Sequence, residues 1–308
     1  MFKISLYNNK GCFFRVPTLQ NIYYQMKRRI FLSHLAHFGV CALALLTSVP
    51  LLAILGEVLV KGYKQFSWAF ITEPTPTAYK AMIAIAEGND IPGGIANGIV
   101  GSFLMLGMAA LVAIPLGIMC GIYLSENGEK KFAQVVSYMT DLLQGTPSVI
   151  IGIITYIWVV VPMKGYSAIA GSVALTVMML PLIVRSTEET MKILPQSLKE
   201  AGLALGGSYA RVLLKVQLPA AFGGIFTGVL LAVSRVIGET APLMFTALGC
   251  QAIRLSVDKP MSAVPLLIWE FFNDPNLQDL IWGASLFLLV FVLSINLLSK
   301  YLAHKWNS

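Results

Sequence analysis

Long apolar runs separated by shorter polar segments dominate the pattern of this chain. Six runs reach about 20 residues or more, the length that crosses a bilayer as a helix, and they occupy residues 36–60, 95–124, 138–161, 166–185, 220–248 and 280–303. Hydrophobic residues make up 56% of the chain and charged residues only 12%, which excludes a soluble globular domain of ordinary surface. The pattern therefore predicts an all-α polytopic membrane protein with six transmembrane helices.

The polar segments between the runs differ in charge, and this difference predicts which side of the membrane each one faces. Lys and Arg accumulate before the first run, after the second and fourth runs, and after the sixth, whereas the remaining loops balance Lys and Arg with Asp and Glu. We therefore expect both termini and the loop 186–219 to be cytoplasmic. This sidedness explains the net charge of +7, so a nucleic acid partner is not required.

Residues 1–34 precede the first run and are predicted to form a cytoplasmic extension of a transmembrane domain that covers residues 35–305. The first run is longer than the apolar core of a signal peptide. We therefore expect it to remain in the protein as a membrane span.

The loop between the fourth and fifth runs contains a segment typical of a docking element. Residues 195–205 favour a short helix, Gly206 and Gly207 permit a sharp turn, and residues 209–217 favour a second helix. Pro219 has no amide hydrogen, so it suits the first turn of the membrane helix that follows. The segment is predicted to be a compact helix-turn-helix, and the alternative is an ordinary amphipathic surface loop.

Five residues of this loop fall at the spacing E-A-A-x3-G-x9-I-x-L-P: Glu200, Ala201, Gly206, Leu218 and Pro219. In this motif the chain resembles the permease subunits of binding-protein-dependent ABC importers, with Gly202 in place of the usual Ala and Val216 in place of Ile. The resemblance implies the type I importer permease fold and a coupling loop that docks on an ATPase. The chain has no G-x-x-x-x-G-K-[ST] motif for ATP, so that ATPase is expected to be a separate protein.

Arg235 and Glu239 are charged residues within the fifth apolar run, and their spacing of four places them on one face of a helix. Either charge near the bilayer centre costs about 2.5–3.5 kcal/mol on the insertion scale. Either the two side chains neutralise each other, or their face lines a wet path where Arg235 attracts an anion and Glu239 limits its retention. Gly238 and Pro242 are expected to interrupt this helix, and residues 141–147 form a second polar, broken stretch in the third run.

Three segments extend the resemblance to a narrower family. Residues 232–247 contain R-x-I-G-E-T-A-P and, with residues 142–148 and 185–189, look like the PstA-type permeases of phosphate-specific importers. The similarity covers about residues 92–303. It implies phosphate translocation that involves Arg185 and Arg235. It also implies a prokaryotic plasma (inner) membrane, a PstC-type permease as heterodimer partner, a PstB-type ATPase dimer and an extracytoplasmic phosphate-binding protein.

Phosphate suits these residues because a guanidinium fork binds two phosphate oxygens. Hydrogen phosphate also carries a proton that Glu239 can accept, whereas sulfate carries none at neutral pH. For Arg185 the alternative is a flanking arginine at the cytoplasmic end of a span. Two alternative functions remain: a permease for sulfate, molybdate or another oxyanion, and a membrane enzyme that uses Asp141 and Glu239 as a carboxylate pair.

The sequence contains little that suits a metal ion or a cofactor. His34 and His37 are spaced for one helix face, but no third His or carboxylate lies nearby. We therefore expect a transport subunit with no catalytic residues, no metal and no cofactor.

Overall fold

The computed structural model describes residues 19–89 and 91–306, which fold into helices joined by loops. In chain order the helices are α1 (Leu19–Gln65), α2 (Trp68–Thr72), α3 (Ala78–Ala86), α4 (Ala96–Asn127), α5 (Lys131–Gly145), α6 (Ser148–Thr155), α7 (Val161–Met163), α8 (Ala168–Ile193), α9 (Gln196–Ala204), α10 (Tyr209–Val212), α11 (Leu218–Ile237), α12 (Ala241–Thr246), α13 (Val264–Asn273) and α14 (Leu280–Trp306). Two π-helical turns, Tyr156–Val160 and Leu213–Gln217, join α6 to α7 and α10 to α11. The prediction of an all-α protein is confirmed.

The chain divides into two compact units, residues 1–57 and residues 58–308. The described residues of the first unit belong to α1, and large apolar side chains along it, such as Phe38 and Leu45, are exposed. The apolar stretch of α1, Arg29–Gln65, contains the first predicted span. The predicted extension 1–34 lies partly outside the described residues, and its residues 19–34 are continuous with the helix of that span.

Five helical stretches are long and apolar enough to cross a membrane: Arg29–Gln65, Ala96–Asn127, Ala168–Ile193, Tyr209–Ile237 and Leu280–Tyr301. A sixth span results when the bent pair Lys131–Gly145 and Ser148–Met163 is counted as one. The six apolar runs of the sequence therefore each correspond to one of these stretches.

The third span is broken within the polar stretch 141–147, and its two parts meet at an angle of 106°. Pro147 lacks an amide hydrogen and restricts the residue before it, so Thr146 takes an extended conformation with φ −75° and ψ 130°. The sequence indicated the break but not its angle.

The fifth span differs from the predicted range 220–248 at both ends. Helical structure begins at Tyr209, because the second helix of the coupling loop continues into α11. It ends at Ile237, where Gly238 caps the helix and residues 239–240 separate α11 from α12. Pro242 lies in the first turn of α12, where its missing N–H is tolerated.

The core of the second unit forms where α4 and α11 pack on α8. Glycines four residues apart allow this close approach. A Cβ at Gly117 would lie 2.7 Å from Ile183, at Gly121 2.6 Å from Thr187, at Gly224 2.4 Å from Thr190 and at Gly228 1.6 Å from Ser186. Only hydrogen fits at such distances, so these glycines set the separation of the three helices.

A second apolar cluster forms at the end of α4 that is remote from the coupling loop. Phe70 of α2 is buried there together with Ile95, Phe271 of α13 and Leu280 of α14. α4 runs from this cluster to the coupling loop, so the loops 66–95 and 248–263 belong to the opposite end of the bundle.

Candidate functional site

The coupling loop folds as the predicted helix-turn-helix. Gly206, with φ +79°, forms the turn between α9 and α10, a conformation that favours glycine. The amides of Gly206 and Gly207 donate to Leu203 O at 2.9 Å and Gly202 O at 3.3 Å. A Cβ at Gly202 would lie 2.9 Å from Val212, so the small residue at this motif position allows the second helix to pack against the first.

The motif residues of the loop occupy distinct positions in this fold. Glu200 and Ala201 are exposed on α9, and Gly206 is exposed in the turn. Leu218 is half-buried, and Pro219 lies in the first turn of α11. Leu205, which directly precedes Gly206, is 90% exposed. The loop thus presents an apolar tip beside an acidic side chain, which suits insertion into a protein groove.

An ion pair between Lys199 and Glu126 ties the coupling loop to the last turn of α4. The Lys199 ammonium also lies 5.3 Å from the centre of the Tyr209 ring. A cavity of about 390 Å³ lies beside this pair, and Gln217 lines it with a buried side-chain oxygen that has no hydrogen-bond partner. Sequence reasoning missed Glu126 and Lys199, because they are 73 residues apart.

Arg235 and Glu239 lie where α11 ends. Their side chains approach to 3.9 Å between Nε and Oε1, with exposures of 52% and 20%. Gly238 lies between them at the end of the helix, so residues 238–240 are outside the regular helix. The pair is therefore loose, and about half of the Arg235 side chain remains exposed.

The two broken stretches of the sequence belong to spans that pack together. The Cβ of any larger residue at Gly152 of α6 would lie 2.8 Å from the Cα of Pro242 of α12. The short helices that follow the breaks in the third and fifth spans are thus in direct contact. Helix interruptions inside a membrane protein are tolerated where protein or water covers the backbone.

Arg185 is bound on every nitrogen of its guanidinium group. Nε donates to Asp141 Oδ1 at 2.9 Å, Nη1 to Glu188 Oε2 at 2.7 Å, and Nη2 to Ser137 Oγ at 2.8 Å. Glu188 is 6% exposed and also accepts a bond of 2.7 Å from Lys192. This network joins α5 to α8. Ser137 carried no distinguishing sequence signal, and Glu188 was noted only as part of the segment 185–189.

Asp141 and Glu239, the carboxylate pair of the enzyme alternative, each lie against a different arginine. Asp141 pairs with Arg185 at 2.5 Å, whereas Glu239 faces Arg235. Within the residues that the structure describes, no three His, Cys, Asp or Glu side chains are grouped so that they could hold a metal ion.

Glu270 on α13 is a titratable residue that sequence reasoning did not single out. α13 has 10 residues, fewer than a span requires. Burial raises the pKa of the Glu270 carboxyl from 4.5 to about 7. Its Oε1 lies against Gly249, which has φ +91° and where a Cβ would come within 2.0 Å of that oxygen.

Residues 113–308, which include the coupling loop and the Arg235–Glu239 pair, match the family model for the inner membrane component of binding-protein-dependent transport systems. The chain belongs to this family. This permease is similar to the phosphate transport system permease protein PstA of Yersinia pestis, with 38% identity over 83% of this chain and 84% of that protein. The PstA protein of Haemophilus influenzae is 34% identical over 82% of this chain and 87% of its own length.

Among solved structures, the permease resembles an inward-facing structure of the MetNI methionine ABC transporter. The TM-score is 0.56 and the identity 18%, and the match covers 68% of this chain and 93% of the other. The fold is therefore that of a type I ABC importer permease. The expected fold class and the membrane-embedded, multi-pass architecture are confirmed.

Proposed function

We propose that this permease is the PstA-type subunit of an ATP-driven importer that takes up inorganic phosphate by alternating access. The observation that carries the proposal is the Arg235–Glu239 pair at a helix interruption, in a chain whose relatives are named as phosphate transport permeases. A guanidinium group binds phosphate oxygens through paired N–H donors. Because Arg235 is half exposed and only loosely paired, its donors can reach a passing anion.

Glu239 limits how tightly Arg235 holds phosphate. A carboxylate about 4 Å from the same guanidinium competes with an anion for its charge. Release is required for transport, so a weakened contact serves the function better than a strong one.

Arg185 contributes to the pathway in a positional role. Its Nε, Nη1 and Nη2 all bind groups of α5 and α8, so a phosphate ion would have to displace Asp141 to reach it. The network instead fixes α5, which leads into the break of the third span, against α8, which leads into the coupling loop.

The coupling loop docks on the ATPase partner through Glu200, Ala201, Gly202, Gly206, Leu218 and Pro219. Its exposed apolar tip at Leu205 and the rigid packing of α9 on α10 support this assignment. The partner proposed is a PstB-type ATPase dimer, and this chain performs no hydrolysis itself and needs no cofactor.

The remaining assembly follows from the same assignment. We place the protein in the prokaryotic plasma (inner) membrane with both termini and the coupling loop in the cytoplasm, because Lys and Arg concentrate there. A PstC-type permease forms the heterodimer, and an extracytoplasmic phosphate-binding protein delivers the substrate to the opposite end. Residues 1–34 are the cytoplasmic extension, and residues 35–305 are the transmembrane domain, with its core at about 92–303.

Uptake of radiolabelled phosphate in cells that lack this chain tests the proposal. Wild type and the matched control Arg254→Gln, an exposed arginine of the loop 248–263, should restore uptake. Arg235→Gln should reduce uptake about tenfold or more, because a charge-assisted hydrogen bond contributes about 1.5–3 kcal/mol. Membrane levels of each variant are measured by immunoblotting.

Competition by unlabelled sulfate and molybdate identifies the substrate in the same assay. Uptake that neither ion reduces supports phosphate, whereas strong inhibition by either one indicates another oxyanion permease. Normal uptake by Arg235→Gln would make the Arg235–Glu239 pair a structural one.

A further inference from the structure

A polar cavity of about 440 Å³ lies at the end of the bundle opposite the coupling loop. It is enclosed by the last turn of α1, the loops around α2 and α3, and the start of α14. Its polar lining consists of Lys64, Gln65, Ser67, Asn89 and Asp279. The volume falls within the range of about 300–1,000 Å³ in which proteins hold small ligands.

Two opposite charges, those of Lys64 and Asp279, line the cavity. Neither Lys64 nor Asp279 forms an ion pair within 4.0 Å among the described residues. A free phosphate ion would meet the Asp279 carboxylate as well as the Lys64 ammonium, so the lining does not suit a simple anion. It suits a ligand that carries both an anionic and a cationic group.

Gln65 adds a requirement for a hydrogen-bond donor. Its Oε1 is buried and has no hydrogen-bond partner, and an acceptor of this kind is costly to leave unsatisfied. A ligand with N–H groups would satisfy it. The trimethylammonium group of choline has no N–H, whereas a primary ammonium has three.

The surroundings of the cavity are those of a membrane interface. Tyr63 and Trp68 flank it and are each 79% exposed, as aromatic residues at the headgroup level are. Lys61 lies 4.3 Å from the Trp282 ring, which joins the last turns of α1 to the first turn of α14. The cavity therefore opens where two apolar spans end, which is the level at which lipid headgroups are expected.

We propose that this cavity binds the headgroup of a zwitterionic phospholipid with a primary amine, of the phosphatidylethanolamine type. Lys64 binds the phosphate, Asp279 binds the ammonium group, and Gln65 Oε1 accepts one of its N–H bonds. The bound lipid holds the loops around α2 and α3 against α14. This site is separate from the proposed phosphate pathway, and its test does not depend on transport.

The test uses the purified importer complex in detergent, titrated with dihexanoyl phosphatidylethanolamine and, separately, with the phosphatidylcholine and phosphatidylglycerol of the same chain length. The readout is the rise in unfolding temperature, because a ligand that binds the folded state stabilises it. Phosphatidylethanolamine should raise it at lower concentrations than the other two lipids.

Two variants assign this preference to the cavity. Asp279→Asn should weaken the apparent affinity for phosphatidylethanolamine about threefold to fivefold and leave that for phosphatidylcholine unchanged, because exposed ion pairs contribute up to about 1 kcal/mol. Lys64→Gln should weaken both. The matched controls Asp258→Asn and Lys80→Gln, on exposed residues outside the cavity, should change neither. Lipids bound to partner subunits affect all variants equally.

Equal stabilisation by phosphatidylethanolamine and phosphatidylcholine would overturn the proposal. So would unchanged lipid affinity in Lys64→Gln and Asp279→Asn when both variants unfold cooperatively. If lipid affinity is unchanged while the stimulation of ATP hydrolysis by the binding protein falls, the cavity receives a protein segment instead.

Discussion

Replacing Gly228 by alanine should force α11 away from α8. The new Cβ would lie 1.6 Å from Ser186 Oγ and 2.3 Å from Ser186 Cβ. Rotation of the serine hydroxyl relieves the first contact, but the Cβ is fixed by the backbone of α8. Ordinary contact begins at about 3.4 Å, so the helices must separate by about 1 Å. Overpacking of this kind costs about 1–3 kcal/mol.

A double variant measures the contact itself. Ser186→Gly removes both clashing atoms and leaves its Cα 3.7 Å from the new Cβ, so Gly228→Ala combined with Ser186→Gly should recover most of the stability lost through Gly228→Ala. The assay is thermal unfolding of the purified complex, where each kcal/mol corresponds to about 2–4 °C for a domain of this size. A double-mutant cycle then isolates the pairwise free energy.

Gly107→Ala is the matched control, because Gly107 lies in α4 with nothing within 4 Å of a Cβ. Alanine is favoured over glycine in a helix by about 1 kcal/mol, so this variant should be at least as stable as wild type. If Gly228→Ala is equally stable, or if Ser186→Gly gives no recovery, the inferred packing of α11 on α8 is wrong.

Three further predictions concern charged side chains. Lys199→Glu should increase the number of ATP molecules hydrolysed per phosphate ion transported, because it breaks the ion pair with Glu126. Adding Glu126→Lys should return this ratio to the wild-type value. If the ratio does not recover, the pair has no coupling role. Burial raises the pKa of Glu270 from 4.5 to about 7 in the folded protein. The free energy of unfolding should therefore fall by about 3 kcal/mol as the pH rises from 4.5 to 7. Melting curves of Glu270→Gln should not show this part of the pH dependence. Asp141→Asn should reduce uptake less than Arg235→Gln, because Arg185 keeps its bonds to α8 and Ser137; equal losses would favour direct contact between phosphate and the Arg185 cluster.

Most of the functional features that the sequence predicts depend on residues that are close together in the chain. The coupling-loop motif is contiguous, and its turn follows from Gly206, whose positive φ needs no distant partner. Arg235 and Glu239 share a helix face by their spacing alone. These features were predictable because each depends on residues within one or two helical turns.

The contacts of Arg185 could not be predicted from the sequence. Its partners Ser137 and Asp141 lie 48 and 44 residues away, so no periodicity indicates that the guanidinium is fully bound. The angle of 106° in the third span is likewise a tertiary result. Pro147 ends the helix locally, but packing of Gly152 on Pro242 fixes where the next helix lies.

The sequence by itself determined that this chain is a polytopic membrane permease with a helix-turn-helix between its fourth and fifth spans, because hydrophobic run length and local motifs encode both. The tertiary structure alone decided which charges meet. Glu126 joins Lys199, Asp141 joins Arg185, and Lys64 and Asp279 line one cavity. Such pairings depend on how helices that are far apart in the chain pack against one another. Small residues set the distance between these helices, and the sequence does not show which residues they contact.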